Sequence, residues 1–533
     1  MPRASQPSCK SALRASQVTD AMTLVSATAL AKDAIVAVVG AGAMGAGIAQ
    51  VAAVAGHRVL LLDNRPQAAQ QAIEGVRAQL DKMAAKGKLT ANAALAAGQR
   101  LQAATQLSDL AAAALVVEAI VENLHAKEAL FVELEALVTA DCIFGSNTSS
   151  ISITAVGSAL QHPQRLAGLH FFNPAPVMAL VEVVSGLATA PAVADTLYAT
   201  ALAWGKTPVH AKSTPGFIVN RVARPYYAEA LRLRGEGAAD CATLDAVMRE
   251  CGGFRMGPFE LMDMIGLDVN FAVTRSVWNA YFNDPRYLPS LIQQELVDAG
   301  YLGKKTGRGF YDYRADAEKP QAHTEPQHKL QARIVVCGDA PAAQALVTRL
   351  QTRGEAFARV PSTDGRIAEA DDAVLYLTDG RSATQRAAQT GIANTVLIDL
   401  ALDFEKATRI ALASAGQCSE TAYAATCAAL QAAGLQVSRL ADVPGMAVMR
   451  TVAMLANEAA DAVYQGVCTA PAADDAMRLG VNYPIGPLAW ADRVGLANIQ
   501  TVLGHLNASY GEDRYRISPL IQRQVYQGKN IHG

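Results

Sequence analysis

The sequence predicts an α/β protein in which a parallel sheet with helices on both faces precedes a helical domain, and in which this pair of domains recurs in degenerate form. Three observations predict this architecture. The chain has 533 residues, enough for three or four domains of ordinary size. From Ala34 it reads as an apolar run, a glycine turn, an alanine-rich helix and a second apolar run. A stretch from Pro215 is repeated at a constant offset from Pro444.

The composition is that of a globular protein with a sizeable core, because 51% of the residues are hydrophobic and 18% are charged. Lys and Arg total 46 and Asp and Glu total 48, without single-sign blocks, which predicts no nucleic-acid partner. No run of about 18 large apolar residues occurs, so no membrane partner is expected. The eight cysteines form no CxxC pair, which predicts neither a metal site nor a disulfide framework and fits a reducing cytoplasm.

Residues 1–33 predict a dispensable extension outside the folded domains. They are rich in Ser and Ala, and the first 31 of them carry Arg3, Lys10 and Arg14 against Asp20, a composition faintly similar to an organelle transit peptide. No apolar segment precedes a cleavage pattern, however, and Met22 is a plausible alternative start.

A glycine-rich turn follows the first apolar run, IVAVV. Gly40, Gly42 and Gly45 form a GxGxxG pattern, in which glycines allow a tight turn, the approach of a pyrophosphate, and close packing of helix on strand. The N-terminus of the next helix then offers free N–H groups to phosphates. We therefore predict a dinucleotide site made by Gly40, Gly42, Ala43, Met44 and Gly45.

Asp63 ends the second apolar run, 18 residues after Gly45. That spacing is close to the one at which a carboxylate accepts hydrogen bonds from the adenosine ribose hydroxyls. Arg65 could in principle meet a 2′-phosphate, but Asp63 would repel that group. The pattern favours NAD over NADP as the cofactor.

Two further strand-like runs, LVVEAIVE and CIFGSNTSS, end in polar residues. Because ligands bind at the carboxyl ends of parallel strands, this places Glu122, Lys127, Asn147 and Ser149 on the cofactor side. For Glu122 and Lys127, an ion pair on a helix face is an equally good interpretation of the residues alone.

His170 follows a short apolar segment, and Glu182 lies inside the strand-like ALVEVV. A carboxylate in a buried strand is costly unless it is paired. A histidine held by such a carboxylate is the arrangement of a general base, since the acid selects the tautomer and stabilises the charged ring. A purely structural histidine is the alternative interpretation.

Five ordered motifs carry a family resemblance: GAGAMGAGIAQ, SNTSSISIT, GLHFFNPAPVMALVEVV, TPGFIVNR and GKKTGRGFYDY. Across residues 34–313 the chain resembles the L-3-hydroxyacyl-CoA dehydrogenase family. The resemblance implies that His170 removes the C3 hydroxyl proton, that Glu182 orients His170, and that Ser149 and Asn220 hold the substrate oxygens. It also implies hydride transfer from C3 to NAD and cofactor contacts from Glu122, Lys127, Ser149, Asn173 and Lys305.

The C-terminal half repeats the first helical domain at an offset of 229 positions, from Pro215 and Pro444 to Gly266 and Gly495. The second copy has Met449 where the first has Asn220, so we expect it to lack the chemistry. The preceding segment resembles the first βαβ unit, with Gly338 in the place of Gly40. The predicted divisions are a Rossmann-type domain at 34–211, a helical domain at 212–315, a linker at 316–330, a degenerate Rossmann-like domain at 331–440 and a second helical domain at 441–533.

This fused layout is similar to that of the longer bacterial members of the family in phenylacetate catabolism, which act on 3-hydroxyadipyl-CoA. The resemblance implies that substrate, and a terminal carboxylate would need a cation such as Arg224 or Arg255. It also implies a homodimer or other homo-oligomer, although the second helical domain could cover the dimer surface within one chain. The alternative substrate is 3-hydroxybutyryl-CoA of butanoate or fatty-acid metabolism.

Two other functions are less favoured by the residues. A dehydrogenase of the β-hydroxyacid type would carry a catalytic lysine in the helical domain, where this chain has Asn220 in TPGFIVNR. A non-catalytic NAD-binding or structural relative would be expected to lack His170 or Glu182, and both are present.

Overall fold

The computed structural model describes residues 28–533. Residues 1–27, most of the predicted extension, lie outside the described residues. The part of the extension that is described contacts the first domain, because the Leu30 N–H donates to Thr200 Oγ1 at 3.0 Å.

The first domain is built on an eight-stranded sheet of order β3-β2-β1-β4-β5-β6-β7-β8. Its strands are β1 Ile35–Val39, β2 Arg58–Leu62, β3 Leu101–Ala103, β4 Leu115–Glu118, β5 Ile143–Ser146, β6 Leu166–Phe171, β7 Leu180–Ser185 and β8 Thr207–Lys212. Its helices are α1 Ala43–Ala55, α2 Ala68–Ala85, α3 Ala91–Arg100, α4 Leu124–Leu137, α5 Ile153–Gly157 and α6 Pro191–Ala203. Neighbouring strands are parallel except for β6 and β7.

The apolar runs found in the sequence are the central strands of this sheet. Residues of β1 and β4 are almost completely buried, as expected where helices cover both faces of a parallel sheet. The strand order changes direction between β1 and β4, and ligands bind beside such a point in open α/β sheets. The predicted α/β fold class is confirmed.

The first helical domain follows directly, with α7 Val219–Val222, α8 Arg224–Gly235, α9 Cys241–Glu250, α10 Pro258–Ile265, α11 Leu267–Ala280 and α12 Leu291–Asp298. The predicted linker has no helix or strand and lies against the second sheet, where the Glu325 N–H donates to the Val437 carbonyl at 2.8 Å.

A second, seven-stranded sheet has the order β10-β9-β11-β12-β13-β14-β15. Its strands are β9 Ile334–Cys337, β10 Ala358–Val360, β11 Arg366–Ala370, β12 Ala373–Leu377, β13 Thr395–Ile398, β14 Arg409–Ser414 and β15 Gln436–Arg439. The helices are α13 Pro341–Arg353, α14 Ala383–Thr390 and α15 Glu420–Ala432. β11 runs antiparallel to both of its neighbours, so this sheet departs from the first at the place where the first has β4.

The second helical domain consists of α16 Val448–Tyr464, α17 Ala470–Gly480, α18 Pro487–Val494, α19 Leu496–Tyr510 and α20 Pro519–Gln527. Its long helix α16 packs against α8 of the first helical domain. Two fully buried ion pairs join the copies reciprocally: Arg221 bonds Glu458 at 2.6 Å, and Arg450 bonds Glu229 at 2.7 Å.

These four residues are pairs at the offset of 229 found in the sequence. Each copy contributes the same arginine and the same glutamate, which is the pattern of a twofold dimer interface. The duplicated helical domain therefore forms that kind of interface inside one chain.

Within residues 28–533, none of the helices combines the length and the apolar character needed to cross a bilayer.

Candidate active site

The glycine turn between β1 and α1 has the geometry of a phosphate cradle. Gly40 adopts φ +106°, and a Cβ there would lie 2.4 Å from the Ala119 carbonyl oxygen. A Cβ at Gly45 would lie 1.7 Å from the Gly40 oxygen, so helix and turn are in closest contact there. At Gly42 a Cβ would meet no atom within 4 Å. Gly42 therefore faces open space at the first turn of α1, beside Ala43 and Met44, and that space fits a pyrophosphate.

Asp63 lies beside this turn at the end of β2. It accepts a hydrogen bond from the Ala41 N–H at 2.7 Å, and Arg65 Nε donates to its other oxygen at 2.9 Å. The hydrogen bond from Arg65 holds the pKa of Asp63 at about 2, so the carboxylate is ionised and able to accept from ribose hydroxyls.

Replacing Asp63 by serine is expected to lower kcat/KM for NAD about 10- to 100-fold, because a hydrogen bond to a charged group is worth about 1.5–3 kcal/mol. The same change frees Arg65 and removes the repulsion of a 2′-phosphate, so kcat/KM for NADP rises. Steady-state kinetics with both coenzymes measures the ratio. In Asp63→Ser/Arg65→Ala the gain with NADP disappears, and an unchanged NADP efficiency in the single variant contradicts this role of Arg65.

A buried cluster supports the ends of β4 and β5. Glu118 is completely buried and accepts from Lys127 Nζ and Ser146 Oγ, both at 2.6 Å. Lys127 is 1% exposed and lies 3.3 Å from Glu122. Glu122 and Lys127 therefore do form the ion pair that the sequence allows, but Lys127 is buried in the domain and does not lie on an exposed helix face. The Lys127 ammonium therefore acts on the site through Glu122, and its implied contact with the cofactor stays a prediction.

Glu122 organises the loop after β5. One of its carboxylate oxygens accepts from Thr148 Oγ1 at 2.7 Å, from the Ser149 N–H at 3.0 Å and from Ser150 Oγ at 2.9 Å. Asn147 Oδ1 accepts from the Phe171 N–H at 2.8 Å, which ties this loop to the end of β6. Glu122, Asn147 and Ser149 are thus brought to one edge of the sheet, as the motifs predict.

His170 and Glu182 lie directly opposite each other on the antiparallel strands β6 and β7. His170 Nδ1 and Glu182 Oε2 are 2.7 Å apart, and Glu182 is completely buried. The other carboxylate oxygen accepts the N–H groups of Ile218 and Val219, each at 3.0 Å. Three hydrogen bonds therefore compensate the buried charge and hold it at the start of the first helical domain.

The second nitrogen of His170 has a different environment. Nε2 makes no hydrogen bond to any residue in 28–533, and the ring lies against Phe172 at 4.5 Å and Phe217 at 5.8 Å between centroids. Because Glu182 accepts the Nδ1 proton, Nε2 presents a lone pair toward the cleft. This is the geometry of a general base.

Asn220 closes the site from the helical domain. Its Nδ2 lies 3.4 Å from the Ser149 carbonyl oxygen, so Ser149 and Asn220 meet across the cleft. Asn173 is exposed just beyond β6. Lys305 bonds Asp268 at 2.6 Å, and its implied contact with the cofactor stays a prediction.

Arg224, one helical turn after Asn220, is a buried cation without a carboxylate partner among the described residues. It is 5% exposed, and its Nε donates to the Asn220 carbonyl at 2.8 Å while Nη1 donates to Thr274 Oγ1 at 3.0 Å. A cavity of about 290 Å³ adjoins Arg224 and Thr274. Burial lowers the pKa of Arg224. Arg255, the other predicted candidate, is exposed at the surface.

Sequence reasoning did not identify Glu118. Its signal was present, since LVVEAIVE contains two acids and the first ends a completely buried strand, where a charge needs a partner. Lys127 and Ser146 are that partner set.

The chain matches three family profiles. Residues 35–214 match the NAD binding domain of 3-hydroxyacyl-CoA dehydrogenase, and residues 216–313 and 445–531 each match its C-terminal domain. Residues 375–444 match the reduced Rossmann-fold domain of 3-hydroxybutyryl-CoA dehydrogenase. The two separate matches to one C-terminal domain agree with the duplication read from the sequence.

Similar proteins cover the whole chain or its first half. The 3-hydroxyadipyl-CoA dehydrogenase of Escherichia coli is 45% identical over 92% of this chain and 97% of its own length. Human mitochondrial hydroxyacyl-coenzyme A dehydrogenase is 43% identical over 54% of this chain and 95% of its own. A crystal structure of 3-hydroxybutyryl-CoA dehydrogenase from Escherichia coli superposes with a TM-score of 0.84 at 44% identity, covering 93% of this chain and 98% of the other.

These matches confirm the predicted family, enzyme class and cofactor. The open cradle at Gly42 and the ionised Asp63 fit NAD on geometry alone. The chain belongs to the 3-hydroxyacyl-CoA dehydrogenase family and is an NAD-dependent enzyme that oxidises 3-hydroxyacyl-CoA thioesters.

Proposed function

We propose that the preferred substrate is 3-hydroxyadipyl-CoA, a thioester whose acyl chain ends in a carboxylate. Arg224 is the observation that carries this proposal. A buried guanidinium without a carboxylate is costly to maintain, and a substrate carboxylate would compensate it. Asn220 and Arg224 lie on one helical face, four residues apart. A chain whose C3 hydroxyl meets His170 extends only three carbon–carbon bonds further to its terminal carboxylate.

Each residue of the site has its own role in the oxidation. His170 Nε2 removes the C3 hydroxyl proton, and Glu182 stabilises the imidazolium that results. Ser149 and Asn220 hold the substrate oxygens, and Glu122 holds the loop that carries Ser149. NAD, when bound over the glycine turn, supplies the hydride acceptor.

The similar structure titled 3-hydroxybutyryl-CoA dehydrogenase supports a second candidate, a short acyl chain without a carboxylate. Comparing the two thioesters in the wild type and in Arg224→Met decides between them. We expect the wild type to favour 3-hydroxyadipyl-CoA in kcat/KM. Arg224→Met should reduce that value about 10- to 100-fold, the usual effect of losing a charge-assisted hydrogen bond, and leave 3-hydroxybutyryl-CoA nearly unchanged.

Arg255→Met is the matched control, because it removes an exposed arginine of the same domain, and it should preserve the preference. A wild type that prefers 3-hydroxybutyryl-CoA, or an Arg224→Met variant that loses both substrates equally, contradicts the proposal.

From the similarity to the 3-hydroxyadipyl-CoA dehydrogenase of Escherichia coli, we also propose a role in phenylacetate catabolism and a cytoplasmic location. The seven cysteines among the described residues are free, which suits a reducing compartment. We also propose a homo-oligomer. Because the helical face is covered within the chain, such an oligomer would use a different surface, and light scattering of the purified protein measures its mass.

A further inference from the structure

A large cavity lies between the second sheet and the second helical domain. It measures about 680 Å³ and is lined by the start of α13, the loops after β12 and β13, and residues of α18 and α19. Pockets that hold small molecules commonly measure about 300–1,000 Å³. In the first copy the corresponding cleft, between sheet and helical domain, holds His170 and Asn220.

Strand register identifies which residues replace the catalytic pair. His170 pairs with Glu182, and Glu182 with Val209. In the second copy Ala411 pairs with Ser438, which is Val209 plus 229, and Asp399 lies opposite Ala411.

Asp399 therefore stands in the place of His170, and Ala411 in that of Glu182. Asp399 is completely buried and accepts the N–H groups of Ala447, Val448 and Met449, so it has no free oxygen for chemistry.

Other residues that line this cavity also differ from the catalytic residues of the first copy. Met449 replaces Asn220. Asp379 occupies the position of Ser149, because Ser149 lies three residues after Ser146, which pairs with Gly168, and Asp379 lies three residues after Tyr376, which pairs with Leu397. The wall also contains Phe404 and Trp490. Without the amide of Asn220 and the imidazole of His170, this cavity has lost the catalytic groups of the first copy. It has nevertheless stayed open, although larger side chains that filled it would gain van der Waals contacts.

A dinucleotide does not fit this cavity. Ala340 takes the place of Gly42, so a Cβ occupies the position where the first copy is open. Pro341 is the first residue of α13 and has no N–H to offer a phosphate. Asp339 lies at the same turn and would repel a phosphate.

Two arginines that line the cavity are incompletely paired. Arg386 is 7% exposed, and its Nε is buried without a hydrogen-bond acceptor in residues 28–533. It shares Asp379 with Arg381, two cations to one carboxylate. Arg493 lines the cavity and has no ion pair within the described part of the chain. Of the other acids in the lining, Asp403 is paired with Lys406 and Glu405 has no cation.

We propose that this cleft is a second ligand site, specific for a monocarboxylic acid with an apolar or aromatic body. The carboxylate lies between Arg386 and Arg493, and the body packs against Trp490, Phe404 and Met449. The site needs no catalytic group and no nucleotide, which agrees with the loss of both.

Titration of the full chain with octanoate tests the proposal, followed by calorimetry and by the fluorescence of Trp490, one of three tryptophans. We expect one site per chain and at least tenfold weaker binding of octanol, which has the same length without the charge. Arg493→Gln should weaken octanoate at least tenfold and leave octanol unchanged. Thr501→Trp, at the exposed rim of the cavity, should abolish both while the dehydrogenase kcat stays at the wild-type value.

Arg224→Met distinguishes this cleft from the active site, because octanoate bound beside Arg224 would be lost in that variant and octanoate bound in the cleft would not. The proposal is overturned if octanoate does not bind, if octanol binds equally well, if Arg493→Gln and Thr501→Trp both retain binding, or if Arg224→Met loses it.

Discussion

Replacing Glu182 by glutamine is expected to lower kcat about 10²- to 10⁴-fold without unfolding the chain, the range that general base catalysis contributes. The amide oxygen of the introduced glutamine can still accept the N–H groups of Ile218 and Val219, which Glu182 holds now. Its NH₂ group, however, would donate to His170 Nδ1. The ring proton then moves to Nε2, and the nitrogen facing the substrate can no longer act as a base.

His170→Gln removes the base itself and should lower kcat by a similar factor. Because the two residues act as one unit, the double variant should be little worse than either single variant. NAD binding, followed by fluorescence quenching, and the unfolding midpoint should stay near the wild-type values in both. A loss of less than tenfold in Glu182→Gln would show that the carboxylate does not set the tautomer.

Much of the site could be predicted because motif residues occupy chain positions with fixed geometry. The glycine turn must follow a strand and begin a helix, so Gly40, Gly42 and Gly45 could only lie where they do. The sequence between His170 and Glu182 does not show where one strand ends and the next begins. Their direct opposition on β6 and β7 depends on antiparallel register, which the apolar pattern alone does not specify.

The environment of each charge could not be predicted. Lys127 lies on the buried face of α4 because Glu118 draws its ammonium inward, and a helical pattern shows only spacing. The burial of Arg224, on which the proposed substrate depends, follows from the packing of α8 against α10 of its own domain and α16 of the second helical domain.

In the second half, the repeat at constant offset predicted the helical domain correctly. The antiparallel β11 in the second sheet has no counterpart in the first and could not be inferred from it.

The reciprocal ion pairs between the helical domains are expected to contribute to the stability of the chain. Glu458 is completely buried and accepts from Arg221, Arg286 and Tyr287. Glu458→Gln leaves the buried guanidinium of Arg221 without a carboxylate, while Arg286 keeps its ion pair with Asp461. Removing one partner of a buried pair costs about 3–5 kcal/mol. We expect the urea midpoint of unfolding to fall accordingly.

Glu229→Gln is the matched change at the other end of the interface, and it should cost less. Its partner Arg450 keeps a second carboxylate, Glu236, at 2.8 Å. Asp475→Asn, which breaks an exposed pair with Arg478, should change the free energy of unfolding by about 0.5 kcal/mol or less.

The predicted order of destabilisation is therefore Glu458→Gln, then Glu229→Gln, then Asp475→Asn. Arg221 is the neighbour of Asn220, so Glu458→Gln should also raise KM for the thioester while leaving NAD binding unchanged. Equal stability of the Glu458→Gln and Asp475→Asn variants would mean that apolar packing between α8 and α16 holds the two copies together without help from the buried charges.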